Sequence, residues 1–152
     1  MDARLTTMSP DGLATIGPLA LDQLRAANLI PDSVGGLTLG ADPVSYAIAF
    51  ASAQAGVPIR AFTVRKEAKA HGTGRLIEGP FRAGDQVVVV EDVITTGASA
   101  QRAIAAVRQA GATVIGILAV VDREEGGREA LGAENVPIIT LSKMSELLAL
   151  VP

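Results

Sequence analysis

The chain has 152 residues, 49% of them hydrophobic, and a formal net charge of −3: enough apolar mass for one cored domain, and the wrong charge for a general nucleic-acid binder. Aromatic residues contribute only 3% and Trp is absent, so the core has to be Ala, Val, Ile and Leu, the usual filling of a parallel sheet under helices. With no Cys, disulfides, thiolate metal sites and Cys nucleophiles are excluded. No apolar stretch reaches the roughly 20 residues of a membrane span, and the start Met-Asp-Ala-Arg-Leu lacks an apolar signal segment, so a cytoplasmic chain with no membrane partner is expected.

Strand and helix signals alternate along the chain. Ser9-Pro10 opens a helix, with a hydroxyl at the N-cap and Pro at the first position. Leu13, Ile16, Ala20 and Leu24 follow at helical spacing, with Gly17-Pro18 expected to bend or divide the element. Residues 33–39 read as a short strand ending in a glycine-containing turn. Asp42-Pro43 starts a second helix through Gln54, stopped by Gly56. Residues 59–64 form the next strand, and 65–80, with no clear period, a long loop. Residues 86–91 are a strand, 99–110 a helix closed by Gly111, and 113–121 a fully apolar strand. A short turn or helix at 127–131, a last strand at 136–141 and a terminal helix capped by Ser142 complete the order. Strands separated by helices of about a dozen residues imply right-handed βαβ crossovers. The expected fold is therefore α/β, a three-layer arrangement with a mostly parallel central sheet flanked by helices. The whole of residues 1–152 reads as one domain, with no repeat or linker.

Ligands of such sheets bind beyond the carboxyl ends of the strands, and the chemically rich segments fall there. The densest is Val-Val-Val-Val-Glu-Asp-Val-Ile-Thr-Thr-Gly-Ala-Ser at 87–99. An apolar strand leads into two acids, Glu91 and Asp92, and then into a turn whose N–H groups, Thr95, Thr96 and Ser99 suit a phosphate at a helix N-terminus. Acids beside a phosphate cradle fit a ligand with vicinal hydroxyls and phosphate, a phosphorylated ribose. Arg65, Lys66, Lys69, Arg75 and Arg82 crowd the 65–82 stretch with the single histidine, His71. Gly72 and Gly74 give that stretch the character of a lid carrying charge for a diphosphate. Gly35-Gly36-Leu37-Thr38-Leu39-Gly40-Ala41-Asp42 suits either a plain tight turn or a backbone cradle for diphosphate. Asp122-Arg123 suits either an ion pair at a strand end or an anchor for an anionic substrate.

Taken together, the 87–99 segment resembles the phosphoribosyl pyrophosphate (PRPP) signature of type I phosphoribosyltransferases. The lid Arg-Lys-Glu-Ala-Lys-Ala-His-Gly-Thr-Gly at 65–74 and Val-Asp-Arg-Glu-Glu-Gly-Gly at 121–127 are similar to the orotate-specific branch, and the resemblance runs from about residue 5 onward. It implies the type I phosphoribosyltransferase fold and Mg²⁺-dependent transfer of 5-phosphoribosyl from PRPP to orotate, giving orotidine 5′-monophosphate and pyrophosphate in pyrimidine biosynthesis. It implies PRPP contacts from Arg65, Lys66, Lys69, His71, Glu91, Asp92, Val93, Ile94, Thr95, Thr96, Gly97, Ala98 and Ser99. Leu39 and Gly40 would lie in the pyrophosphate turn, and Thr95 and Arg123 on orotate. Catalysis is implied for Lys66, Lys69, His71 and Asp92, with no side chain set aside as a metal ligand. A homodimer sharing the lid between subunits is also implied. Two departures stand out: Gly40 where many members carry Lys, and nothing before Leu5 to match the family's N-terminal hood over orotate. Transfer to another base, or PRPP binding without turnover, are the competing functions.

Overall fold

The computed structural model describes residues 2–71 and 74–152. In chain order its elements are α1 (Arg4–Thr7), α2 (Pro10–Ala26), β1 (Ser33–Leu37), α3 (Ala41–Gln54), β2 (Arg60–Val64), β3 (Ile77–Glu78) and β4 (Gln86–Ile94). There follow α4 (Ala98–Gln109), β5 (Thr113–Asp122), α5 (Gly127–Leu131), a 3-10 turn at Gly132–Glu134, β6 (Ile138–Lys143) and α6 (Met144–Leu148). The strands form one sheet in the order β3-β2-β1-β4-β5-β6. All pairs are parallel except β2 with β3.

The valine run of β4 shows how the layers arise. Side chains alternate across a strand, so Val87 and Val89 pack with Ile104 and Val107 of α4 and with Leu131 of α5. Val88 and Val90 pack on the other face with Leu24 of α2 and with Val44 and Ile48 of α3. A sheet covered on both faces has no use for alternation of apolar with polar residues, hence the unbroken run. Each buried valine contributes roughly 1.5–3 kcal/mol.

Several expectations need correction. Gly17-Pro18 does not divide α2, which is continuous over 17 residues. Pro18 lies on the exposed side, as does Ala14, the i−4 residue whose carbonyl loses its partner and can turn to water. Gly17 faces the Ala47 carbonyl of α3, where a Cβ would collide, and so lets the two helices approach closely. The stretch 65–80 is not all loop: Ile77 and Glu78 pair antiparallel with Val64 and Thr63. A two-residue strand is too short to leave a period in the sequence. The terminal helix α6 has Lys143 at its N-cap, its backbone N–H donating to Glu146 Oε2 at 2.9 Å, because β6 extends two residues past the expected Leu141. Ser142 belongs to that strand and donates its hydroxyl to the Val120 carbonyl (3.1 Å). β1 ends at Leu37, two residues early, and β4 runs three residues past Glu91. α1 was not foreseen.

The last two boundaries create the site. β1 pairs with β4 only from Ser33–Val87 to Gly35–Val89, and then the chain leaves at Thr38 through a cis Thr38–Leu39 peptide. β4 continues alongside β5 to Ile94–Asp122. A crevice therefore opens between the departing turn and the free flank of β4. The strand order reverses there, since β1 leads on to β2 on one side while β4 lies on the other, which makes it the topological switch point of the sheet. At the opposite end Asp85 ties the strands together, accepting from Ser33 Oγ (2.9 Å), Arg60 (2.7 Å) and the Arg82 N–H (3.1 Å). Burial opposes its charge, but these hydrogen bonds prevail and hold the carboxyl below its ordinary range.

Candidate active site

The crevice encloses about 360 Å³ and is lined by Leu37, Thr38, Leu39 and Gly40 on one wall and Glu91, Asp92, Val93, Thr95 and Ser99 on the other. Lys66 and Arg123 border it, as do Asp2, Ala3 and Arg4. A groove of about 470 Å³ elsewhere, along α4 and residues 74–83, is larger but has no acid or hydroxyl in its lining. Charge and hydroxyls single out the crevice instead.

Glu91 sits on the crevice floor with only 6% of its surface exposed. Its Oε1 is buried and has no hydrogen-bond partner. Burial, reinforced by the charge of Asp92, pushes its carboxyl up to about 8. Asp92 is partly exposed and accepts the Val93 N–H at 2.8 Å. The two acids are therefore different tools, one a buried carboxyl short of a partner and one a solvated carboxylate. Arg123 is the third unusual group, its Nε buried without a partner while its terminal nitrogen meets Glu125 at 2.8 Å. A buried polar atom left unpaired costs about 1–3 kcal/mol, and two of them around one cavity mark where a polar ligand belongs.

Beyond Glu91 the chain wraps a small hollow of about 30 Å³ bounded by residues Glu91 and Val93 to Ala100. Gly97 has φ +84° and opens α4, whose first-turn N–H groups point into this turn without intrahelical partners. No acidic side chain occupies that first turn, so the positive end of the helix dipole is free for an anion. Gly97 also packs tightly, with Leu131 Cγ 3.0 Å from where a Cβ would stand.

Asp122 and Arg123 do not pair with each other, and the ion pair at this strand end is Arg123 with Glu125. Asp122 accepts the Glu124 N–H (2.8 Å) while Arg123 turns to Glu125 and the crevice. Among the described residues of the basic segment only Lys66 reaches the crevice lining. Lys69 pairs with Glu78 at 3.1 Å and Arg65 lies 3.7 Å from the same carboxylate. His71 is exposed and is not part of the lining. Gly72, expected with Gly74 to loosen the lid, lies outside the described residues, as does Thr73. A second hollow of about 500 Å³, lined by Thr38, Thr63, Arg65, Lys66, Glu67 and Glu78, adjoins the crevice through Thr38 and Lys66. The pairs holding Arg65 and Lys69 are exposed and worth little, at most about 1 kcal/mol each, so swinging these cations inward is cheap. Asp2, Ala3 and Arg4 were missed. A short polar run near a terminus leaves no signal of where it packs.

Comparison with known proteins agrees with this geometry. The phosphoribosyl transferase domain model matches residues 34–134. Orotate phosphoribosyltransferase of Aquifex aeolicus is 51% identical over 148 residues, spanning 97% of this chain and 80% of that protein. The chain belongs to the orotate phosphoribosyltransferase family. The Corynebacterium glutamicum orotate phosphoribosyltransferase is 47% identical, with 97% of this chain and 77% of that protein covered. The crystal structure of the Mycobacterium tuberculosis orotate phosphoribosyltransferase in complex with PRPP superposes with a TM-score of 0.86 at 43% identity, over 97% of this chain and 82% of that one. For an orotate phosphoribosyltransferase, the fold matches expectation: a mostly parallel sheet flanked by helices. Among the described residues no helix is long and apolar enough to cross a membrane.

Proposed function

We propose that this chain transfers the 5-phosphoribosyl group of PRPP to orotate, releasing pyrophosphate and giving orotidine 5′-monophosphate for pyrimidine biosynthesis. One observation carries the assignment: the crevice at the switch point sets unpaired Glu91 and Arg123 atoms between a backbone turn and an acid-free helix N-terminus. A phosphorylated ribose bearing a diphosphate satisfies that whole surface at once. Thr95 to Ser99 wrap the 5′-phosphate. Glu91 and Asp92 take the ribose hydroxyls, Asp92 as acceptor and Glu91, while protonated, also as donor. Leu39 and Gly40 face the diphosphate, and Thr95 and Arg123 hold orotate.

Catalysis by these residues is placement and charge stabilisation. The C1–oxygen bond to diphosphate breaks as the C1–nitrogen bond to the base forms, with positive charge spread over the ring between. No covalent nucleophile is needed. Fixing base, ribose and leaving group in line supplies the orientation. Lys66, Lys69, His71 and Arg65 neutralise the departing diphosphate, and the closed segment excludes the water that would otherwise hydrolyse PRPP. Mg²⁺ fits this arrangement. Glu91, Asp92 and Asp2 are the acids lining the crevice, and no group of three potential metal ligands occurs among the described residues. The ion would be held chiefly by diphosphate and ribose oxygens and water. When bound it supplies positive charge against the leaving group.

A homodimer that shares the lid belongs to the same proposal, as does a single-domain cytoplasmic enzyme. Two features support pairing. Arg65, Lys69 and His71 do not line the crevice of their own chain, and α3 exposes Tyr46 and Phe50 with no exposed charge between Ala41 and Gln54.

A steady-state assay with PRPP and Mg²⁺, offering orotate, uracil, hypoxanthine and adenine separately, tests the function. Orotidylate should form from orotate alone. Turnover with a purine instead, or PRPP binding with no pyrophosphate released in the presence of orotate, would overturn it.

A further inference from the structure

The turn facing the crevice has no cation with which to hold a diphosphate. At Gly40 there is no side chain, and a Cβ there would stand 2.6 Å from Asp92 Oδ1, so Asp92 would have to shift to admit one. What such a turn offers an anion is the direction of its N–H groups, and something else must fix that direction. The structure supplies a buried brace. Asp42, 9% exposed, accepts Thr38 Oγ1 on one carboxylate oxygen (2.7 Å) and Thr63 Oγ1 on the other (2.8 Å). Thr63 Oγ1 also meets the Tyr46 hydroxyl at 2.9 Å. Since Thr63 spends its one proton on Asp42, Tyr46 is the donor in that contact. The Asp42 N–H closes the turn on the Leu39 carbonyl (3.2 Å). The brace thus ties the turn after β1 to the neighbouring strand β2 and to the first turns of α3.

We propose that Asp42, with Thr63 as its second anchor, is the positioning residue that holds the Thr38–Gly40 turn in the conformation that receives diphosphate. The proposal rests on the assignment of that turn to diphosphate. Asp42 is not among the residues lining the crevice, and as an acid near an anion it would by charge alone weaken binding. Charge and positioning therefore predict opposite signs. Removing the carboxylate tightens diphosphate binding if the acid is a bystander and loosens it if the acid is a brace.

Calorimetric titration with magnesium pyrophosphate, and separately with ribose 5-phosphate, distinguishes the two. Ribose 5-phosphate uses the α4 cradle and serves as the internal control. Thr63→Val keeps shape but removes the donor, and Asp42→Asn removes the charge. Each should weaken pyrophosphate binding by about tenfold, the worth of one hydrogen bond to a charged group. Ribose 5-phosphate should bind as before, and Thr63→Ser should bind both ligands like the parent. Unchanged or tighter pyrophosphate binding in Thr63→Val and Asp42→Asn, or equal losses for both ligands, overturns the brace. Pyrophosphate failing to bind the unaltered chain while ribose 5-phosphate binds would instead remove the turn's assignment, and the proposal with it.

Discussion

Replacing Glu91 by Gln removes a titration while preserving shape and hydrogen-bonding reach. In the folded chain burial and Asp92 raise the Glu91 carboxyl from 4.5 to about 8, whereas in the unfolded chain it titrates normally. For an acid whose folded pKa is raised, stability is fully present below the unfolded value and declines as pH rises toward the folded one, because the unfolded chain then gives up a proton that the folded chain keeps. The window is therefore about pH 4.5 to 8. Within it the loss approaches 1.4 kcal/mol per pH unit, so between pH 5 and pH 7 the parent should lose about 2–3 kcal/mol relative to Glu91→Gln. Asp85 and Glu124, whose carboxyls are held low by hydrogen bonds, are common to both proteins and cancel. Urea unfolding of the two proteins at pH 5, 6, 7 and 8, without ligand, measures the difference directly. The two stability curves should diverge steadily with rising pH. Parallel curves would mean that Glu91 is ionised throughout, and the picture of a buried carboxyl awaiting a partner would be wrong.

Lys66→Ala should lower kcat more than it raises the Kd for PRPP, because cation contacts count most once charge has built on the leaving diphosphate. An unchanged kcat with a large rise in KM would contradict this. Gly97→Ala forces a left-handed φ on a residue with a Cβ, at a cost of about 1–2 kcal/mol, and presses that Cβ against Leu131. It should lower the urea midpoint and weaken ribose 5-phosphate binding, and parental values of both would show that the turn tolerates a side chain.

What the sequence made legible is the part of the molecule built by short-range rules. The valine run announces a strand buried on both faces. Gly127–Leu131 is found at its expected bounds, and Ser9 caps α2 through the Gly12 N–H at 3.0 Å as its position suggests. Glu91, Asp92, Thr95 and Ser99 do line the crevice, and Thr96 borders the small hollow beyond Glu91. What stayed hidden depends on long-range packing. The length of β4 beyond Glu91 is set by its partner β5, and the end of β1 by a turn with no local marker. Pro18 looked like a breaker because sequence does not show which face of α2 meets solvent. Asp42 read as a helix start and the end of a possible diphosphate turn, not as a brace, since Thr38 comes to it from the turn after β1 and Thr63 from β2. Lys69 and Arg65 show the converse, a charge pattern rightly noticed whose members rest on Glu78 rather than in the crevice.

The central claim is that the switch-point crevice grips phosphorylated ribose through its acids, and PRPP titration into the parent and into Asp92→Asn tests it most directly. The parent should bind in the presence of Mg²⁺, and Asp92→Asn should bind about tenfold or more weakly, as expected for losing a hydrogen bond to a charged acceptor. Equal affinity in the two proteins would place the ribose elsewhere.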